Sequence, residues 1–137
     1  MKNDIEFPKV KGVSVAIART IVAENETPEW QVYLINKNEY PLENVLIASK
    51  GYGELNGITQ KTSILRHLIE FVEAESFAPI ERIDPQVFPL FNEYWVSYYK
   101  VDGKDIFDKK FLFVPESIIE ANLVYIPQLE KEGILHD

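Results

Sequence analysis

The residues with the most chemical potential begin at Gly51. Glycines stand at positions 51, 53 and 57, in the spacing G-x-G-x-x-x-G. This spacing is one residue away from the dinucleotide fingerprint, and the Gly-Lys-Ser/Thr ending of a phosphate loop is missing. Glycines that supply positive φ angles in a chain connection account for the same residues. The sequence therefore favours a hairpin end or a surface loop over a phosphate loop.

A mixture of a hydroxyl, a cation and an imidazole follows this loop, at Thr62, Arg66 and His67. Such groups can together hold a phosphate or a carboxylate. On a strand, however, Arg66 and His67 would point to opposite faces, which favours a surface arginine and a hydrogen-bonded histidine. We retain the region as an alternative function, a small-ligand binder or modest enzyme. Its candidate residues are Gly51, Tyr52, Gly53, Thr62, Arg66 and His67.

A run of carboxylates at Asp102, Asp105 and Asp108 is the nearest approach to a metal-binding motif. It lacks the oxygen spacing and the final bidentate Glu of an EF-hand loop, so turn formation is the better interpretation. The chain has no Cys and 2 His. A zinc site would therefore need carboxylates converging from distant positions. We predict no metal, no cofactor and no catalytic residue.

The segment 93–101 is rich in aromatic residues and has the pattern of a strand. Tyr94, Val96 and Tyr98 would lie on one face, and Trp95, Tyr99 and Val101 on the other. Because both faces are apolar, either the C-terminal segment covers one sheet, or an aromatic patch stays open for a partner or a second copy. The predicted protein-contact residues are Tyr94, Trp95, Tyr98 and Tyr99.

The elements that would position these residues are strands. Alternating or β-branched apolar runs bounded by turn residues predict seven of them, at 13–22, 30–36, 44–49, 62–72, 77–83, 93–101 and 105–114. The segment 62–72 also fits a helical face, and we favour a strand because its neighbours are strands. Pro79 predicts a sheet edge. Asp102-Gly103 predicts a tight hairpin between the last two strands.

The pattern changes after Pro115. Ser117 and Glu120 have the spacing of a capping box, Pro127 suits a first helical position, and Gly133 could end a helix. We therefore predict one domain over residues 1–137, with a lead-in at 1–10 and a helical extension at 115–137. The predicted fold is all-β, an immunoglobulin-like antiparallel sandwich of about seven strands.

Residues 30–83 resemble immunoglobulin-like β-sandwich modules of the FxLYD type. In that pattern, an apolar strand ending in Asn is followed by a break, then Leu-x-Asn-Val, a Tyr-Gly loop and a turn into a closing strand. The matching residues are Val32, Asn36, Leu42, Asn44, Val45, Tyr52, Gly53, Gly57 and Ser76. The chain departs from such modules by lacking a secretory lead and by extending beyond Val114. The resemblance implies a binding or accessory domain without catalytic residues.

Composition narrows the classes of partner. The formal net charge of −8 disfavours nucleic acid and anionic membranes. The charged N-terminus has no apolar signal segment, and no run of about 18 apolar residues predicts a membrane span. We therefore expect a cytoplasmic location. The predicted function is a non-catalytic β-sandwich module that binds another protein or itself, a homodimer included.

Overall fold

The computed structural model describes residues 8–21, 23, 26–100, 103 and 105–137 of the chain. Its described residues form two antiparallel sheets, here named A and B. The strands of sheet A are β1 (Val13–Thr20), β2 (Glu29–Asn36), β6 (Ser76–Arg82), β9 (Val124–Ile126) and β10 (Lys131–His136). Their order in the sheet is β6-β2-β1-β10-β9.

Sheet B is built around one long strand, β3. Its strands are β3 (Leu42–Leu55), β4 (Ile58–Lys61), β5 (Leu65–Val72), β7 (Phe91–Lys100) and β8 (Ile106–Phe113). The order is β4-β3-β7-β8, and β5 also pairs with β3. Since β7 pairs with both the 42–49 and the 50–52 parts of β3, β4 and β5 must follow one another along the opposite edge.

The main core lies between the two sheets. Alternate residues of each strand face inward, so Val15 and Ile17 of β1 meet Tyr94, Val96 and Phe111 of sheet B. The inward faces of β1 and β7 agree with the predicted alternation. Ile21, which falls within the predicted 13–22 strand, lies beyond the end of β1 and is exposed.

All seven predicted strand segments contain a strand, including 62–72, which forms β5. Pro79 lies in β6 at the edge of sheet A, as predicted. Strands β7 and β8 pair antiparallel from Tyr99 opposite Ile106 onward. The predicted Asp102-Gly103 turn between them, with Asp102 and Val101, lies outside the described residues.

The glycine-rich segment continues β3 and ends in a hairpin. Leu55 pairs with Ile58, which leaves Asn56 and Gly57 as a two-residue turn. Both residues have positive φ, 54° and 77°, as a type I′ turn requires. The hairpin-end interpretation of this segment is therefore the correct one.

The predicted C-terminal helix at 115–137 is wrong in this structure. That segment forms a 3₁₀ turn (Glu120–Asn122) and then the β9–β10 hairpin, which completes sheet A. The Ser117 hydroxyl donates to the Val114 carbonyl and does not cap a helix. Pro127 begins a tight turn, in which the Glu130 amide donates to the Pro127 carbonyl. Ten described strands therefore replace the expected seven.

The C-terminal segment covers one sheet, which was one of the two explanations offered for the two apolar faces of the aromatic strand. The sheet that it covers is A, whereas the aromatic strand β7 lies in sheet B. Ile126 and Leu129 pack on Ala16 and Ala18, the second face of β1, together with Ile35. This arrangement buries both faces of β1 and leaves the outer face of β7 uncovered by the turn at Pro127.

Within the described chain, no helix has the length and apolar character to cross a membrane.

Tyr98 carries a buried hydroxyl for which the described residues provide no hydrogen-bond partner. Burial raises the pKa of this phenol well above its usual range. We expect Tyr98→Phe to leave the free energy of unfolding unchanged or to raise it by up to about 1 kcal/mol, because it removes an unpaired buried polar group. Tyr94→Phe is the matched comparison, since the Tyr94 hydroxyl donates to Glu81. Urea denaturation in which Tyr98→Phe proves the more damaging of the two would contradict this.

Candidate functional site

The predicted ligand residues Gly51, Tyr52 and Gly53 lie within strand β3 and not in a loop. Gly51 allows a close approach by Thr62, whose hydroxyl accepts a hydrogen bond from the Gly51 amide at 2.7 Å. A Cβ at position 51 would come within 3.1 Å of the Thr62 methyl group. Tyr52 stacks on Phe91 at 5.4 Å between ring centroids. These contacts join β3 to its neighbours and leave no phosphate-binding loop here.

Thr62 marks an irregularity in the edge of sheet B. Lys61 pairs with Tyr52 and Leu65 pairs with Ser49, so three residues of the edge chain lie opposite two residues of β3. Such a bulge shifts the chain between β4 and β5 and increases the local twist. It separates the four-residue edge strand β4 from the eight-residue edge strand β5.

Arg66 and His67 do lie on opposite faces of sheet B, as the strand interpretation predicts. Arg66 pairs with Ala48 on the outer face, and His67 pairs with Ile47, whose side chain is buried. The His67 imidazole reaches the Glu81 carboxylate, with 2.8 Å between Nε2 and Oε1. The two side chains therefore do not point into one common site.

Glu81 is the polar centre that sequence reasoning missed. It belongs to β6 of sheet A, and its carboxylate accepts hydrogen bonds from Ser49 at 2.7 Å and Tyr94 at 3.3 Å, besides its contact with His67. Its three partners lie on β3, β5 and β7 of sheet B. The Glu81 side chain is 14% exposed. One carboxylate thus joins the two sheets at the edge of the sandwich.

A cleft of about 210 Å³ lies beside this carboxylate, lined among others by Ser49, Thr62, Asn92 and Tyr94. The side-chain amide of Asn92 donates to the carbonyls of Val87 and Leu90. Ser49 and Tyr94 are bonded to Glu81, and Thr62 to Gly51 and Ser63. Because the donors of these side chains already bond within the protein, a ligand that needs hydrogen-bond donors would have to replace internal hydrogen bonds.

The aromatic contact candidates divide between the two faces of β7. Tyr94 and Tyr98 are 2% and 0% exposed, so burial removes them from any contact surface of the folded chain. Desolvation raises the pKa of the Tyr94 phenol, and the neighbouring Glu81 carboxylate raises it further. Trp95, at 44% exposure, and the half-buried Tyr99 face outward. Only these two of the four remain accessible.

An apolar cluster surrounds Trp95 on the outer face of sheet B. Leu46 and Leu68 lie directly opposite one another on β3 and β5 and are 53% and 59% exposed. Ala48 lies opposite both Trp95 and Arg66, so the three strands β3, β5 and β7 bring these side chains together. Leu46, Ala48, Arg66, Trp95 and Ser97 border a shallow groove of about 180 Å³. We call Leu46, Leu68 and Trp95 the outer-face cluster.

Charged groups hold the indole of the outer-face cluster in place. The Trp95 indole donates to Asp108, and the Lys110 ammonium lies 5.9 Å from its ring centroid. Asp108 therefore orients an exposed aromatic side chain. In the described part of the chain, no three His, Asp or Glu side chains come together in a group that could hold a metal ion.

The edge strand β5 extends the apolar surface beyond the outer-face cluster. Besides Leu68, its residues Leu65 and Phe71 are about half exposed, and Ile64 just before the strand is similar. In the described chain β5 pairs with β3 alone, so its other edge carries backbone groups that no strand covers. An exposed apolar edge of this kind is a template for pairing with another chain.

Scans of this chain against protein-family models, curated proteins and solved structures found no match.

Proposed function

We propose that the protein is a non-catalytic protein-contact module and that its contact surface is the outer face of sheet B together with strand β5. The observation that carries this proposal is the outer-face cluster, three large apolar side chains about half exposed on adjacent strands. A grouped apolar patch with a polar rim marks an interaction surface more reliably than scattered surface residues do. Arg66, Asp108 and Lys110 supply that rim.

The composition of the patch agrees with what protein interfaces use. Tryptophan and arginine are enriched among residues that dominate binding energy, and Trp95 and Arg66 flank the same groove. The hydrogen bond from Trp95 to Asp108 restricts the indole before binding, which lowers the entropy lost on association.

The resemblance to FxLYD-type immunoglobulin-like modules supports the same proposal, because such modules act as binding or accessory domains. We propose the immunoglobulin-like type as the finer description of the all-β fold. The small-ligand alternative has less support, since the polar groups beside Glu81 and Thr62 are bonded internally. We also propose that partner selection does not involve nucleic acid, given the net charge of −8.

Substitution of the outer-face cluster tests the proposal. We expect Trp95→Ser and Leu68→Lys each to weaken association, with itself or with a captured protein, by about tenfold or more, as loss of a central contact residue does. Both side chains are about half exposed, so each variant should stay folded with a moderately lower thermal midpoint. Affinity capture and analytical ultracentrifugation on the full chain provide the two measurements.

Ile119→Lys is the matched control, because Ile119 is similarly exposed but lies outside sheet B. It should leave association unchanged. If Trp95→Ser and Leu68→Lys bind and associate like the unaltered chain, the outer face of sheet B is not the contact surface and the proposed function is wrong.

A further inference from the structure

Among the described edge strands, β5 has the least protection against pairing with another strand. Natural proteins block edges with proline, charge or short length. Strand β6 contains Pro79, β9 has 3 residues, β4 has 4, and β8 carries Asp108, Lys109 and Lys110 in succession. Strand β5 has 8 residues, reads Leu-Arg-His-Leu-Ile-Glu-Phe-Val, and has no proline. Its two charges, Arg66 and Glu70, have opposite signs, so they can attract a second copy of the strand. The unpaired backbone N–H and C=O groups of its open edge are therefore available to pair with another strand.

The pleat restricts how two copies of β5 could pair. In an antiparallel ladder, two residues directly opposite one another have their side chains on the same face of the sheet. Their backbone N–H and C=O groups either both point toward the partner strand or both point away from it. A symmetric pair must therefore be centred on one residue that lies opposite its own copy. Centring on Leu68 sets Arg66 opposite Glu70, and does so twice. Centring on Ile69 sets Glu70 opposite Leu68, and centring on His67 sets Arg66 opposite Leu68, so the charges there meet apolar side chains.

The Leu68-centred register also gives Arg66 and Glu70 the counter-charges that they lack in the single described chain. Arg66 and Glu70 are four positions apart on one strand, a separation of about 13 Å, which is too far for an ion pair. Both are exposed, and no ion pair joins either to another described residue. In the pair, each would lie directly opposite its counter-charge, the arrangement that stabilises adjacent strands.

We propose that the occupant of the β5 edge is a second copy of this chain, paired antiparallel with Leu68 on the two-fold axis. The two B sheets then form one continuous sheet, and Arg66 of each copy faces Glu70 of the other. Leu68 meets its own copy between Leu46 of one chain and Leu46 of the other, so the two outer-face clusters join into one apolar band. This inference rests on the proposed contact surface and names its partner.

Charge reversal on the full chain tests the pairing. Arg66→Glu alone and Glu70→Arg alone each replace two attractive pairs by two repulsive ones, so the dimer constant should weaken by about tenfold or more. The double variant Arg66→Glu/Glu70→Arg restores both pairs and should dimerise like the unaltered chain. An equimolar mixture of the two single variants should form a heterodimer. Sedimentation equilibrium across a concentration series measures all four.

A cysteine pair tests the register independently, because the chain has no cysteine of its own. In the proposed register, residue 68 lies opposite its own copy, within the Cα separation of about 4.4–6.8 Å that disulfides need. Leu68→Cys should therefore form a covalent dimer under mild oxidation. The control Leu65→Cys lies three residues from the two-fold axis, which separates its two thiols by about 20 Å. Equal cross-linking of the two variants would overturn the register.

The outcomes separate this inference from the proposed function. If the unaltered chain is monomeric at about 1 mM while Trp95→Ser abolishes capture of another protein, the contact surface stands and self-pairing is wrong. If single charge reversals dimerise as well as the unaltered chain, another surface joins the copies. If association and capture are both absent, both proposals fail. Circular dichroism of each variant should show that the fold is retained, since every substituted side chain is exposed.

Discussion

Replacing Glu81 by alanine is expected to lower the free energy of unfolding by about 2–4 kcal/mol. The substitution removes the acceptor for Ser49, His67 and Tyr94 at once, and Ser49 and Tyr94 are buried. A buried donor left without its partner costs about 1–3 kcal/mol. Because the three partners lie on sheet B and Glu81 on sheet A, the loss falls on the contact between the sheets.

Urea denaturation followed by tryptophan fluorescence measures this effect. Glu81→Gln keeps the shape and one acceptor oxygen, so it should cost less than alanine. Glu54→Ala is the matched control, because Glu54 is exposed on β3, and its substitution should change stability by less than about 0.5 kcal/mol. If Glu81→Ala is no more harmful than Glu54→Ala, the carboxylate does not join the sheets in solution.

The strands were predictable because their side chains alternate over enough residues to outweigh local ambiguity. Segment 62–72 shows the limit, since the same apolar residues fit a helix, and only its strand neighbours decided the matter. Asn56-Gly57 is a strong hairpin signal in its own right, and it lies at the end of a longer glycine-rich segment. The C-terminal error has a similar origin. Ser117 and Glu120 match a capping box, but pairing of β10 with β1 outweighs that local preference.

The candidate site was less predictable because it depends on register between distant strands. Trp95 and Tyr99 could be assigned to one face of β7 from alternation alone. That Leu46 and Leu68 lie opposite one another, and adjacent to that face, depends on the pairing of β3 with β5 and β7. Glu81 offered no local signal, since a carboxylate near the end of an edge strand is ordinarily solvated. Only the packing of two sheets brings it to Ser49 and His67.

The pairing of β10 with β1 in sheet A depends on the absence of a side chain at Gly133. Gly133 lies opposite Ala18, and a Cβ there would come within 2.5 Å of the Ile17 carbonyl oxygen and 2.8 Å of the Ala18 Cα. Both are backbone atoms within a paired strand, so neither can rotate away as a side chain could. The predicted helix stop at this position is therefore a close approach between strands.

Gly133→Ala is accordingly expected to destabilise the fold by about 3 kcal/mol, since relief of the contact requires β10 to move away from β1. Gly57→Ala is the control. Nothing lies within 4 Å of its added Cβ, and only the strain of φ at +77° remains, worth about 1–2 kcal/mol. Hydrogen exchange should show faster opening of β9 and β10 in Gly133→Ala than in Gly57→Ala. If Gly133→Ala is as stable as Gly57→Ala or more stable, β10 is not held against β1 at this distance.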